Sequence, residues 1–182
     1  MTRYRYWTAT SLDGFLADEQ DSLAWLFVQE QDEGGPGDHE AFMSEVGAIV
    51  MGSTTYAWLA DHLRSTGEPW PYELPCFVFT HRTLEPLGSD VRFVSGWPAD
   101  HRAALEEAAG ERDVWVVGGG ALASDFAEAG MLDEAVLSIA PVSLGAGRPL
   151  FTRRLDLRLR EHGRNGAFLV ATYDVVGNPT RW

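Results

Sequence analysis

The chain of 182 residues predicts an α/β protein: a mostly parallel central sheet with an antiparallel C-terminal hairpin at its edge. Three observations carry this. Short β-rich apolar runs alternate with helical stretches or long connections over the first two thirds of the chain. The run Val114-Trp115-Val116-Val117 stops in Gly118-Gly119-Gly120 and gives way to helix formers from Ala121 onward, which reads as strand, tight turn and helix start. Near the end, two strand-like runs flank Arg164-Asn165-Gly166, and Asn-Gly is a strong hairpin signal.

Taken in order, strands are predicted at 4–10, 46–51, 76–80, 91–94, 113–117, 134–140, 155–161 and 167–176. Helices fit 39–46, 54–63, 100–109 and 121–129. Asp100 can cap the third helix, with Ala103, Ala104, Leu105 and Ala108 on its inner face. The first five strands, separated by helices or long connections, pair in parallel, and the last two add antiparallel strands at one edge. Residues 29–38 contain four acids and three glycines and read as a flexible solvated loop, or as a segment covering a substrate. No linker or repeat divides residues 1–182, which are expected to form one domain.

Hydrophobic residues make up 45% of the chain and charged residues 23%, a globular balance. A formal charge of −13 argues against nucleic acid or an anionic membrane as partner. Any phosphorylated ligand must therefore be held by local cations and backbone N–H groups. The single cysteine, Cys76, allows no intrachain disulfide and no multi-cysteine zinc site, so no metal is expected. It opens the apolar run Cys76-Phe77-Val78-Phe79, where a buried, inert thiol is expected. The N-terminus lacks the apolar core of a signal peptide, and no stretch reaches the ~18 apolar residues of a membrane span. A cytoplasmic, soluble protein is the expectation.

The three glycines can serve either of two ends. Opening a helix, they can bring a phosphate close to free N–H groups and the positive end of a dipole. Alternatively they only relieve crowding in a βα turn, since Gly118 to Gly120 do not form G-x-G-x-x-G.

Several motifs then line up. Ser11-Leu12-Asp13-Gly14-Phe15-Leu16-Ala17 is followed by Met51-Gly52-Ser53-Thr54-Thr55-Tyr56, Val78-Phe79-Thr80-His81-Arg82 and Val117-Gly118-Gly119-Gly120. Further on come Leu132-Asp133-Glu134, Ser138-Ile139-Ala140-Pro141-Val142 and Leu144-Gly145-Ala146-Gly147-Arg148-Pro149-Leu150-Phe151. This order resembles the dihydrofolate reductase superfamily. More closely, it is similar to the branch containing the C-terminal reductase domain of the bifunctional riboflavin-biosynthesis deaminase-reductase.

The resemblance implies a three-layer dihydrofolate-reductase-like fold, an NADPH-dependent oxidoreductase and a homodimer. It places Gly118, Gly119, Gly120, Ala121 and Leu122 at the pyrophosphate and nicotinamide side. Gly52, Ser53, Thr54 and Thr55 begin a second strand-to-helix turn, with Thr55 either donating to a phosphate or capping its helix. Thr80, His81 and Arg82 match the region that meets the adenosine 2′-phosphate. Many members of the branch carry Arg or Lys where this chain has Ser53, which leaves NADH possible as well as NADPH. Asp13 either relays a proton or holds a substrate hydroxyl, or it simply forms an Asx-type turn. Asp38 and Phe42, four apart, share a helix face. There Asp38 either contacts a pteridine-like ring and organises a proton, or caps the helix. Trp25 lines the pocket or fills core.

Three functions remain open at this point. One is reduction of a phosphoribosylamino-pyrimidine, for whose phosphate Arg148 and Arg153 are available; the zinc deaminase pattern H-x-E…C-x-x-C is missing from the chain. The second is reduction of a pterin or other small carbonyl compound. The third is a non-catalytic nucleotide-binding module.

Overall fold

The computed structural model describes residues 1–177. Its elements run β1 (Tyr4–Ser11), β2 (Phe15–Ala17), α1 (Ala24–Phe27), α2 (His39–Ser44), β3 (Val46–Gly52), α3 (Ser53–Thr66), β4 (Cys76–Phe79) and β5 (Val91–Val94). A 3-10 turn (Pro98–His101) leads into α4 (Arg102–Ala109), then β6 (Asp113–Gly118), α5 (Gly120–Glu128), β7 (Glu134–Ala140), β8 (Arg148–Pro149), β9 (Asp156–Asn165) and β10 (Phe168–Gly177).

Eight strands form one sheet in the order β5-β4-β3-β6-β1-β7-β10-β9, and β2 pairs with β8 in a separate two-stranded sheet. β5, β4, β3, β6, β1 and β7 are mutually parallel, whereas β10 runs antiparallel to β7 and to β9. This is the mixed sheet the sequence predicts. β3 shows why it is parallel at its centre: Val46 to Met51 are buried throughout, as expected of a strand covered on both faces.

Alternate residues of the strands feed two cores. On one face Tyr4, Tyr6, Ala48, Val50, Val114 and Val116 pack under Leu105 of α4 and Leu122, Ala123 and Phe126 of α5. On the other face Ile49, Met51, Val78 and Trp115 pack under Phe42 of α2 and Tyr56 of α3. Gly47 lets α4 lie directly on β3: a Cβ there would come within 2.1 Å of the Ala109 carbonyl oxygen. Cys76 lies in the second core, and burial pushes its thiol up to about 12, as expected of an inert buried cysteine.

Local details differ from the sequence expectations. Asp100 does not cap α4. Its carboxylate accepts from the Trp97 N–H at 3.2 Å inside the preceding 3-10 turn, and His101 holds the cap position without a side-chain bond. Ala103 and Ala104 face solvent; Leu105 and Ala109 are the buried positions of α4. Residues 29–38 are not free of the body of the protein. Asn165, almost fully buried, accepts from the Asp32 N–H at 2.7 Å and donates to the Pro36 carbonyl at 3.0 Å. The Gly166 N–H adds a bond to the Asp32 carboxylate, and the Ala167 N–H one to the Glu30 carbonyl. The acidic loop is thus tied to the β9–β10 turn.

At the opposite end of the sheet Glu134 is fully buried between Arg3, Arg5 and Arg160. Burial alone would raise its carboxyl, but the three guanidinium groups hold it below the ordinary range. No helix among the described residues is long and apolar enough to cross a membrane.

Candidate active-site cleft

The sheet's topology determines where a ligand can sit. β3 leaves through α3 toward one face, whereas β6 leaves through α5 toward the other. Adjacent parallel strands whose connections diverge to opposite faces open a crevice at their carboxyl ends. Here that crevice lies between Gly52 and Gly118, because Met51 is in register with Gly118.

Both helices that start there leave their first N–H groups without side-chain partners. Gly52 caps α3 and Gly119 caps α5, and neither supplies a side-chain bond to the free N–H groups. Neither helix has an acidic residue in its first turn, so both positive ends remain uncompensated. A Cβ on Gly52 would lie 3.8 Å from the Gly118 oxygen and the Gly119 nitrogen, so the two turns are neighbours. Gly118, at φ +157°, brings its backbone close to the Thr55 hydroxyl, 3.3 Å from where a Cβ would stand, and the Gly118–Gly119 peptide is cis. Gly120 has a packing reason of its own: a Cβ would meet the Pro149 carbonyl oxygen at 2.1 Å, so any side chain pushes α5 off the 149–150 backbone. Ala121 and Leu122 continue α5, with Leu122 buried in the core rather than facing the crevice. Ser53 and Thr54 occupy the first turn of α3.

β4 lies beside β3, with Phe79 in register with Gly52. Thr80, His81 and Arg82 therefore emerge next to the α3 N-terminus. The Thr80 hydroxyl accepts from the Arg82 N–H at 2.9 Å, which curls the chain and leaves His81 and Arg82 exposed.

On the other side of β6 the sheet forks. β1 and β6 pair only from Tyr4–Val114 to Tyr6–Val116. Beyond this point β1 stays with β7 as far as Ser11, and β6 stays with β3 as far as Gly118. A gap bordered by Trp7 on one strand and Val117 on the other thus opens toward the glycine turn. The Trp115 indole N–H donates to the Trp7 carbonyl at 3.0 Å at its base. Above it the Trp7 ring stacks on Phe42, 5.2 Å between centroids, and His39 sits on Trp7 at 5.4 Å and edge-on to Trp115 at 6.2 Å. Trp25 packs with Val136, Ala140, Phe168 and Val170, and its buried indole nitrogen has no partner among the described residues. Sequence reading missed the fork and His39. Both depend on where two strands separate, which no local pattern of β1 or β6 encodes.

The two carboxylates singled out from the sequence are engaged in holding loops. Asp13 accepts from the Ser11 hydroxyl at 2.6 Å, the Ser143 hydroxyl at 2.8 Å, the Leu144 N–H at 3.0 Å and the Gly145 N–H at 2.7 Å. These bonds, the Ser11 hydroxyl foremost, hold it well below the usual carboxylate range. Asp38 caps α2 by accepting from the Ala41 N–H at 2.8 Å and also accepts from the Gly34 N–H, and its carboxyl too is lowered. Carboxylates held ionised in this way are poor proton donors. Arg148 is likewise occupied, in a two-pronged pair with Asp21 at 2.5 and 2.8 Å, and Arg153 pairs with Asp125 and Glu128.

An α/β chain with two helix starts that lack side-chain caps at the switch point of a mixed eight-stranded sheet has the architecture of the dihydrofolate-reductase-like reductase domains. The chain belongs to the RibD C-terminal domain family, whose model matches residues 5–167. It is 31% identical over 156 residues to the uncharacterized protein YwjB of Bacillus subtilis, covering 84% of this chain and 86% of that protein. Its structure is similar to that of a Shewanella sp. PV-4 protein named for riboflavin biosynthesis, with a TM-score of 0.79, 29% identity and coverage of 96% and 99% of the two chains. A Thermotoga maritima diaminohydroxyphosphoribosylaminopyrimidine deaminase/5-amino-6-(5-phosphoribosylamino)uracil reductase shares the fold at a TM-score of 0.63 and 14% identity, with 96% of this chain matching 56% of that one.

Proposed function

We propose that the chain is an NADPH-dependent reductase of the riboflavin-biosynthesis reductase kind, transferring a hydride to a C=N or C=O carbon of a small heterocyclic or carbonyl substrate. The observation that carries the reading is the pair of helix N-termini at Gly52 and Gly119, side by side and free of acids. Such a pair suits a pyrophosphate, and the glycines leave room for its approach. Arg82, exposed one strand over, offers a cation for a 2′-phosphate, and His81 beside it offers a ring N–H. Ser53 stands where many members of the branch have a cation, so NADH is a weaker second cofactor.

Bound there, the reduced nicotinamide supplies the hydride. The chain's own residues do the rest. The two helix starts hold the phosphates, and Thr55 presents its hydroxyl beside Gly118. Trp7, Phe42 and Trp115 wall one side of the fork with rings that keep water out.

Reduction of 5-amino-6-(5-phosphoribosylamino)uracil fits the family. A second reading, an unphosphorylated pterin-like acceptor, is favoured by Arg148 and Arg153, whose acidic partners leave neither free for a substrate phosphate. In either case the functional unit is a homodimer, with an expected mass twice the 20.1 kDa of the chain in sedimentation equilibrium.

The chain's seven tryptophans allow a direct test by fluorescence quenching. NADPH is expected to bind at micromolar concentration and NADH more weakly. Arg82→Ala should weaken NADPH by about tenfold, ~1.4 kcal/mol, the scale of one charge-assisted hydrogen bond, and leave NADH unchanged. Binding of neither nucleotide by the folded protein overturns the assignment.

A further inference from the structure

We propose that His39 is the proton donor of the reaction, a role that rests on the reductase reading above. Hydride addition to a C=N or C=O carbon leaves a negative heteroatom that must be protonated. The two carboxylates singled out above, Asp13 and Asp38, are each tied to backbone N–H groups that favour the ionised form. His39 follows Asp38 at the start of α2, and its exposed ring lies on Trp7, the first residue of β1 beyond its pairing with β6. It therefore borders the base of the fork on the sheet face opposite α5, over Trp7 and Trp115. Histidine is the side chain suited to giving and regaining a proton near neutral pH.

The step balances without further reagents. The acceptor carbon gains the hydride given up by the dihydronicotinamide, and the double bond's electron pair moves to its heteroatom. That atom takes a proton from an imidazolium nitrogen of His39, and the ring is recharged from water. The acceptor gains two electrons and the nicotinamide loses two. The charged groups around His39 are few. Asp38 and Glu40 flank it on α2, and Arg5 of β1 lies over the Phe42 ring, held by Glu45, Asp113 and Glu134. Trp115 is the β6 residue packed against it and carries no charge.

Carbethoxylation with diethyl pyrocarbonate, mapped peptide by peptide over the five histidines, tests the placement without turnover. NADPH is expected to slow modification of both His81 and His39 at least fivefold, and 2′,5′-ADP to slow only His81. His62 and His162 serve as unshielded controls. Shielding of His81 by NADPH with none at His39 overturns the proposal while leaving the cofactor reading intact. No shielding at either histidine overturns the cofactor reading and the proposal with it.

Kinetics with 5-amino-6-(5-phosphoribosylamino)uracil as acceptor provide the second readout. His39→Gln should lower kcat by about 10²–10⁴-fold, the usual contribution of a positioned acid. Its NADPH affinity should be unchanged, and the wild-type fall in rate with rising pH should be lost. A variant that keeps the wild-type kcat and pH profile overturns the proposal. If the wild type leaves this acceptor unreduced, the substrate is wrong and the shielding pattern decides for or against His39.

Discussion

Asp13 is a side chain whose type was legible and whose work was not. Ser-Leu-Asp-Gly announces a turn, and the Ser11–Asp13 bond is local. The other three bonds come from Ser143, Leu144 and Gly145, some 130 residues away, so the carboxylate joins two loops that the sequence keeps far apart. Because its folded value is depressed, the ionised form stabilises the fold above the ordinary carboxylate range. That contribution is lost as pH falls through about 4 and below. Asp13→Asn keeps the shape but offers an NH2 group to N–H donors. It should lower Tm at pH 7, and the gap to wild type should narrow between about pH 4 and pH 3. A gap independent of pH would contradict the clamp.

Among the elements, the β6–α5 turn was the most legible, since glycine followed by helix formers is a local signal. The loop at 29–38 was the least. Its composition is that of solvated chain, yet a single buried amide, Asn165, holds it on the hairpin. The Asn165-Gly166 pair gave the turn, and Gly166 at φ +56° adopts the left-handed form the turn requires. Nothing local reveals that the asparagine side chain points at a loop 129 to 133 residues upstream. Asn165→Ala leaves the Asp32 N–H and the Pro36 carbonyl without partners, each such loss costing about 1–3 kcal/mol where water cannot replace it. The expected outcome is rapid proteolytic cleavage within 29–38 together with a lower Tm. A variant as resistant as wild type would show that the loop is held by other contacts.

For the molecule as a whole, the fold class followed from alternation and spacing, because a parallel sheet needs long connections and leaves apolar runs as its trace. The sheet order and the fork are consequences of pairing over long range and became visible only in three dimensions. The same holds for Glu134, which reads as an ordinary charge after Leu132-Asp133 and is in fact fully buried among three arginines from β1, β9 and the residue before β1. Removing one member of such a cluster leaves buried charge uncompensated. Glu134→Gln should destabilise the protein by about 3 kcal/mol in urea unfolding, toward the low end for a broken buried pair. An unchanged midpoint would mean that Glu45, Asp113 and Asp174 already balance the arginines.

The fork in the sheet also has a mechanical meaning. Strands β5, β4, β3 and β6 form one plate and β1, β7, β10 and β9 another. The seam between the plates is stitched by three residue pairs, against seven between β1 and β7. Side chains reinforce this short seam: the Trp115 indole N–H bonds the Trp7 carbonyl across it, and Arg5 of β1 pairs with Asp113 of β6. The two plates are held together over that seam by the core beneath it, where Tyr4 and Tyr6 pack with Phe126 and Leu122.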